Sequence, residues 1–380
     1  MKALVKSLKF ILMLGIITLA QSSGEALMAE PLNAPDSTSV TVLFAGDIMQ
    51  HTPQIAAARV NDSTYDYSPV FKYVKPIIEQ HDLSIANLEV TLAGAPYTGY
   101  PQFSAPDQLA VAAKDAGFDV LCTANNHSCD RGDKGVIRTV QILDNTGIMH
   151  TGTFKDSADY LKNHPLIIQK NDINIALFNY TYGTNGLSFR YPAMVNLIDS
   201  AQLVKDLNAV NRTNIDFVII YFHWGQEYQS HPNHQQEELA ALAFSNGADV
   251  VIGSHPHVLQ RMEYAPPTDS TNGRLLVYSL GNYVSNQRDR FRDGGAMVSF
   301  TLSKNWHGRY VTHPEYHLTW VYTPQENSKK QYYILPVNQF EDDASIDKAS
   351  QDKMREFASD SRELFSKENQ NVPESEKLYK

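Results

Sequence analysis

Ala248-Asp249-Val250-Val251-Ile252-Gly253-Ser254-His255-Pro256-His257 is the stretch on which both the fold and the chemistry of this chain turn. Its first half is an apolar, β-branched run of the kind that forms a buried strand, and Gly253 punctuates its end. Two imidazoles then leave the strand end two residues apart. Such a pair on extended or loop backbone can turn both rings into one cleft, where neutral nitrogens bind divalent transition metals well. The alternative is a turn whose histidines are polar surface residues. Four other strand ends carry matching ligand types, and that repetition favours the cleft.

Outward from this stretch, short β-branched runs at 40–45, 83–87, 120–124, 173–179, 217–222 and 275–279 alternate with helical patterns at 69–81, 107–116, 133–146, 200–211 and 234–245. That rhythm predicts an α/β sheet domain. The chemically interesting side chains sit just after a strand and before the next helix or loop, where open α/β sheets place their ligands. Beyond Gly295, strand-like segments at 296–302, 310–312, 316–323 and 332–336 follow one another without a long helix, which predicts an antiparallel continuation of the sheet. Residues 338–380 are charged and polar. A helix is expected over 346–365, followed by a disordered terminus, the whole forming a surface appendage.

The 380-residue chain is long enough to bury a substantial core. Lys2, Lys6 and Lys9 precede the apolar run 10–20, and small and polar residues follow through Ala29, which is the layout of a secretory signal peptide over 1–26. An apolar run of about 11 residues is short against the roughly 20 that span a bilayer, so cleavage is expected rather than anchoring. Loss of Lys2, Lys6, Lys9 and Glu25 with the leader takes the net charge from -10 to -12. An acidic protein is a poor nonspecific binder of nucleic acid, which relies on Lys and Arg to displace counterions from phosphates. It is also an awkward host for a polyanion unless metal ions or basic residues such as Arg261, Arg288, Arg290 and Arg292 offset the field. Two cysteines, Cys122 and Cys129, cannot supply a disulfide framework, though they could close one small loop.

Five segments supply candidate metal ligands: Gly46-Asp47, Asn87-Leu88-Glu89, Asn125-Asn126-His127, His223-Trp224-Gly225 and the His255/His257 pair. Each alone has a structural explanation. Asp47 could cap a helix, Asn126 could hold a left-handed turn, and His223 could be a hydrogen-bonded core residue. With Ser279-Leu280-Gly281-Asn282 added, the ordered set closely resembles the bacterial capsule-synthesis CapA, or poly-gamma-glutamate synthesis, family over about residues 40–302.

That resemblance implies a calcineurin-like metallophosphoesterase domain over 36–337, a four-layer αββα sandwich with mixed sheets and a two-metal site at the strand ends. It makes Asp47 a ligand of the first metal and Glu89 the carboxylate that bridges both; Asn126, His223 and His255 complete the second, and His257 returns to the first. One or two divalent ions are implied. A mixed oxygen and nitrogen set suits manganese, iron or zinc better than calcium. His127 would face the substrate and donate to the leaving group, with Asp130 orienting its ring; the alternative for Asp130 is a cap for the helix after Gly132. Trp224, Glu227 and Asn282 are candidate substrate contacts, although core packing also accounts for Trp224 and turn chemistry for Asn282.

Two positions depart from the wider phosphoesterase pattern. Met49 stands where a histidine ligand is usual, and Glu89 where an aspartate is usual; His51 could substitute only if its loop curls back. The function expected is therefore an exported, metal-dependent hydrolase of phosphoester type acting on a capsule or cell-envelope polymer, alongside capsule-synthesis membrane proteins. The alternative is a non-catalytic metal-binding protein that helps export or retain a polyanionic polymer such as poly-gamma-glutamate. Hydrolysis of amide bonds in such a polymer is a third expectation.

Overall fold

Along the strand Thr38–Ile48 the side chains alternate between two cores: Val40, Val42 and Phe44 enter one apolar cluster, Leu43 and Ala45 another. The computed structural model describes residues 37–326 and 328–378, so the leader expected over 1–26 lies outside the described residues. An eight-stranded sheet runs Tyr333–Pro336, Gly308–Tyr322, Gly294–Asn305, Thr38–Ile48, Leu83–Leu88, Val120–Cys122, Met149–Thr151, with Asn282–Val284 pairing at the end of Thr38–Ile48. A six-stranded sheet runs Leu259–Ala265, Arg274–Leu280, Val250–Ser254, Phe217–His223, Ile173–Thr181, Leu166–Lys170. Both sheets are mixed. The four middle strands of the second are parallel and its two edges antiparallel, while the first is parallel from Thr38–Ile48 to Met149–Thr151 and antiparallel on its other side.

The inner faces of the sheets share one core, in which Val42, Phe44 and Ile85 meet Ile219, Tyr221 and Ile252, and the Phe44 and Tyr221 rings stack at 5.9 Å. The outer face of the first sheet is covered by helices carrying Phe71, Ile78, Leu109 and Leu143. Leu203 and Leu207 of Ser200–Asn208, with Leu239 and Ala243 of His234–Ser245, cover the second. The result is a four-layer αββα sandwich, which agrees with the fold class expected.

Local differences have local causes. The helical pattern at 69–81 is broken into Ser68–Phe71 and Lys75–Ile78, because Pro76 has no N–H to continue the first helix and fits the opening turn of a second. Segments 310–312 and 316–323 are one strand, Gly308–Tyr322. His313-Pro314 is absorbed as a bulge: Ser299 faces Glu315 and Thr301 faces Thr312, with His313 at a φ of 51°.

The segment after residue 337, expected as a surface appendage with a disordered end, is instead part of the main core. Helix Lys348–Glu368 buries Met354, Phe357, Ala358 and Phe365 in the cluster between the sheets' inner faces, and residues beyond it bridge to Glu263 and Tyr316. The apolar residues recur every three or four positions, which gives an otherwise charged helix one buried stripe. Cys122 and Cys129 are buried and unbridged.

Candidate metal centre

The carboxyl ends of the parallel strands in both sheets open on one polar cluster. Gly46 is an extra residue in the pairing with the second strand, since Ala45 faces Ala86 and Asp47 already faces Asn87. This bulge turns Asp47 into the cluster. A Cβ on Gly46 would lie 2.2 Å from the Gly281 carbonyl oxygen, and one on Gly253 would lie 2.2 Å from that of Tyr278. Glycine at both positions is therefore a condition of the strands' close approach.

Asp47, Glu89, Asn126, His223, His255 and His257 are all buried here. Asp47 Oδ1 accepts a hydrogen bond from Asn87 Nδ2 at 2.8 Å, and its Oδ2 lies 3.3 Å from His257 Nδ1. The latter is an ion-pair distance without hydrogen-bond geometry, which leaves His257 Nδ1 without a hydrogen-bond partner. Glu89 Oε1 is 3.5 Å from His223 Nε2 and 3.7 Å from His257 Nε2, yet neither Glu89 oxygen accepts any hydrogen bond. His223 Nε2 faces Asn126 Oδ1 at 2.8 Å, its Nδ1 meets Ser254 Oγ at 3.0 Å, and its ring centre is 4.8 Å from that of His255. His255 Nδ1 is likewise unpartnered.

His255 and His257 hold φ values of 100° and 58° on either side of Pro256. Such backbone costs on the order of 1–3 kcal/mol per residue and persists where the surroundings enforce it, commonly at functional sites.

The electrostatics follow from burial. Burial alone raises Asp47, but the close approach and charge of His257, with the charge of His223 and the hydrogen bond from Asn87, outweigh it and hold the carboxyl far below the usual range. Burial, then the neighbouring Asp47 charge, pushes Glu89 well upward. Burial lowers His223 to about 3 and, with the repulsion of His223 and His257, lowers His255 to about 2. His257 also suffers burial, but Glu89 and then Asp47 raise it to about 9.

Among the described residues, two groups have ligand atoms close enough to share an ion: Asp47, Glu89 and His223, and Glu89, His255 and His257. Glu89 belongs to both. This grouping crosses the one that the resemblance implies, which joins His257 to Asp47 and His255 to His223. A buried carboxylate without donors costs several kcal/mol, so the cluster fits divalent cations, whose charge would complete its unpaired oxygens and nitrogens.

Beside the cluster, a cavity of about 560 Å³ is lined by His127, Asp130, His257, Met49 and Glu227 among others. His127 Nδ1 is 2.8 Å from Asp130 Oδ2, which also accepts the Phe103 amide. Asp130 does not cap the following helix, whose N-cap is Arg131 without a side-chain bond. His51 lines the same cavity, but its Nδ1 faces Gln54 Oε1 and the Asn286 amide, each at 3.3 Å and able to bond it in one tautomer or the other, and it belongs to neither ligand group.

Two expected substrate contacts lie elsewhere. Trp224 is in the outer core, donating its indole N–H to the Tyr278 carbonyl, because the strand Phe217–His223 has ended and Gly253 packs against the ring. Asn282 is fully buried beside Asp47 and directs its amide to Gln287 and the Arg292 carbonyl, so it supports the cavity wall without lining it. Sequence reasoning missed Asn87, Ser254 and Tyr182. Asn87 ties Asp47 to His223 and Asn125, and Tyr182 packs on His255 at 4.5 Å. Asn87 and Ser254 stand at strand ends already singled out, which was the available signal, whereas Tyr182 follows the strand Ile173–Thr181, whose end carried no candidate ligand.

A four-layer αββα sandwich with a shared carboxylate among imidazoles at its strand ends is an arrangement that could hold divalent metal ions. The chain belongs to the family described as bacterial capsule synthesis protein PGA_cap, which it matches over residues 41–287. It is 30% identical over 285 residues to the PGA biosynthesis protein CapA of Bacillus subtilis (strain 168), covering 71% of this chain and 70% of that one. It is 29% identical over 289 residues to the capsule biosynthesis protein CapA of Bacillus anthracis, covering 72% and 67%. Among solved structures it is similar to a phosphatase from Mycoplasma pneumoniae, with a TM-score of 0.42 and 12% identity over 74% of this chain and 94% of that one.

Proposed function

We propose that this protein is an exported, metal-dependent hydrolase of phosphoester bonds in a capsule or cell-envelope substrate. The observation that carries the reading is Glu89: fully buried, unpaired at both oxygens, and common to both groups of candidate ligands. When bound, divalent ions at such a centre activate water and neutralise charge on the phosphoryl group.

The chain's own residues supply the rest. His223 is held at Nδ1 by Ser254 Oγ, which leaves Nε2 facing Asn126 Oδ1 and Glu89 Oε1. Asn87 fixes the Asp47 carboxylate through Oδ1, while Oδ2 takes the His255 amide at 3.4 Å and keeps a lone pair on the His257 side for coordination. Asp130 orients His127 through Nδ1, so Nε2 is the nitrogen left to hand a proton to the departing oxygen in the adjoining cavity.

Met49 supports a second reading, that of a metal-binding accessory protein for polymer export or retention. It is buried, lines the cavity where a further imidazole would serve, and its thioether is a poor ligand for a hard cation. Metal analysis followed by assays on a chromogenic phosphodiester and a gamma-linked glutamate oligomer separates the readings. Bound metal with turnover of the diester supports the hydrolase. Bound metal with no turnover of either supports the accessory role, and turnover of the oligomer alone makes the protein an amide hydrolase.

A further inference from the structure

We infer that the cavity beside the metal centre is built for a neutral sugar ring esterified to the reacting phosphate; the inference rests on the phosphoesterase reading and names its substrate class. Among the described residues lining the 560 Å³ cavity there is no Lys or Arg, and its carboxylates are Asp130, committed to His127, and the exposed Glu227. Of the arginines singled out from the sequence, Arg261 is paired with Glu237 and Glu263, Arg290 with Asp360 and Arg292 with Asp289, while Arg288 lies over the Trp320 ring with its guanidinium on the Asp293 carbonyl; none of the four lines the cavity. Repeated carboxylates beyond the reacting group would meet Glu227 on a wall that offers no Lys or Arg to pair with them, the cations of the metal centre being engaged by the phosphate.

The rest of the wall suits a polyol. Tyr100 and Tyr228 line it at 76% and 43% exposure, large aromatic faces left open to solvent. Tyr228 is held in place at a φ of 65°, with Arg292 over its ring at 4.3 Å and its amide on the Pro256 carbonyl. Tyr100 lies edge-on to Phe103, which lies edge-on to His127, so this aromatic face is positioned relative to the proton donor. Electron-rich ring faces attract the weakly positive C–H face of a pyranose. Gln102, Asn185 and Gln287 add carboxamides that both donate and accept, and Glu227 adds an acceptor, the partners that adjacent hydroxyls require. In hydrolysis the water oxygen bonds to phosphorus and one ester P–O bond breaks. The departing oxygen takes a proton from His127, which recovers one from the water, giving an alcohol and a phosphomonoester.

Calorimetric titration of the full-length, Mn²⁺-loaded protein with glucose 6-phosphate, methyl phosphate, thymidine 5′-phosphate and tetra-γ-glutamate tests this. The hexose ester is expected to bind about tenfold or more tighter than methyl phosphate, and Tyr100→Ala to reduce that ratio to about 3 or below. Tyr100 is exposed, so its substitution leaves the core alone. Equal binding of hexose and methyl esters, tightest binding by the nucleotide or the glutamate oligomer, or an unchanged ratio in both Tyr100→Ala and Tyr228→Ala would each overturn the inference. Hydrolysis of methyl p-nitrophenyl phosphate reports separately on the phosphoesterase reading.

Discussion

The residue that bears most weight is Glu89, whose carboxylate has been taken from water and given no donor in exchange. Its companion His257 sits at about 9, so at neutral pH the metal-free protein carries a proton on a nitrogen that coordination needs free. Glu89, shifted upward, adds to the same tendency. The sign is fixed: metal must displace protons, so affinity rises with pH until His257 has titrated and is flat with respect to His257 above that point. We expect about a tenfold gain in affinity per pH unit for each proton displaced between roughly pH 6 and 8, with proton release visible as buffer-dependent heats in calorimetry. Affinity independent of pH over that range would contradict the assignment of His257. His127 is expected to behave differently. His127→Ala should lower kcat on a phosphodiester by about 10²- to 10⁴-fold while metal content stays at the wild-type level; an unchanged rate would remove it as the proton donor.

At the scale of elements, the site is as precise as the strands that carry it. Asp47 depends on a bulge, and the Gly253 approach depends on the absence of a Cβ, so both glycines act through backbone spacing. The C-terminal helix matters for a different reason. Phe357 is 3% exposed, contributes to the main core and packs against Gly294, while Arg290 joins the loop after the strand Asn282–Val284 to Asp360. Phe357→Ala should cost about 3–5 kcal/mol of stability, measured as a shift in the denaturant midpoint with unchanged slope. A loss below about 1 kcal/mol would return this helix to the status of an appendage.

Across the whole molecule, the central strands were readable because parallel strands buried on both faces are written as unbroken apolar runs, as in Phe217–Phe222 and Val250–Ile252. The edge strand Leu259–Ala265 was not, since Gln260, Arg261 and Glu263 make a half-covered antiparallel strand resemble a loop. Candidate site residues were readable where chemistry demands uncommon side chains at strand ends. Residues that orient them, such as Asn87 and Ser254, were hidden because asparagine and serine are also ordinary turn formers. Cavity walls such as Tyr100 and Asn185 come from loops whose meeting depends on the fold. Export, expected from residues 1–26, is tested by sequencing the amino terminus of secreted protein: a start between residues 21 and 30 supports it, and an intact Met1 on membrane-bound protein opposes it. The most direct test of the central claim is an anomalous diffraction experiment on crystals grown with Mn²⁺. The account predicts two peaks about 3.5–4 Å apart with the Glu89 carboxylate between them; a cluster without a peak, at full occupancy of the ion in solution, would contradict it.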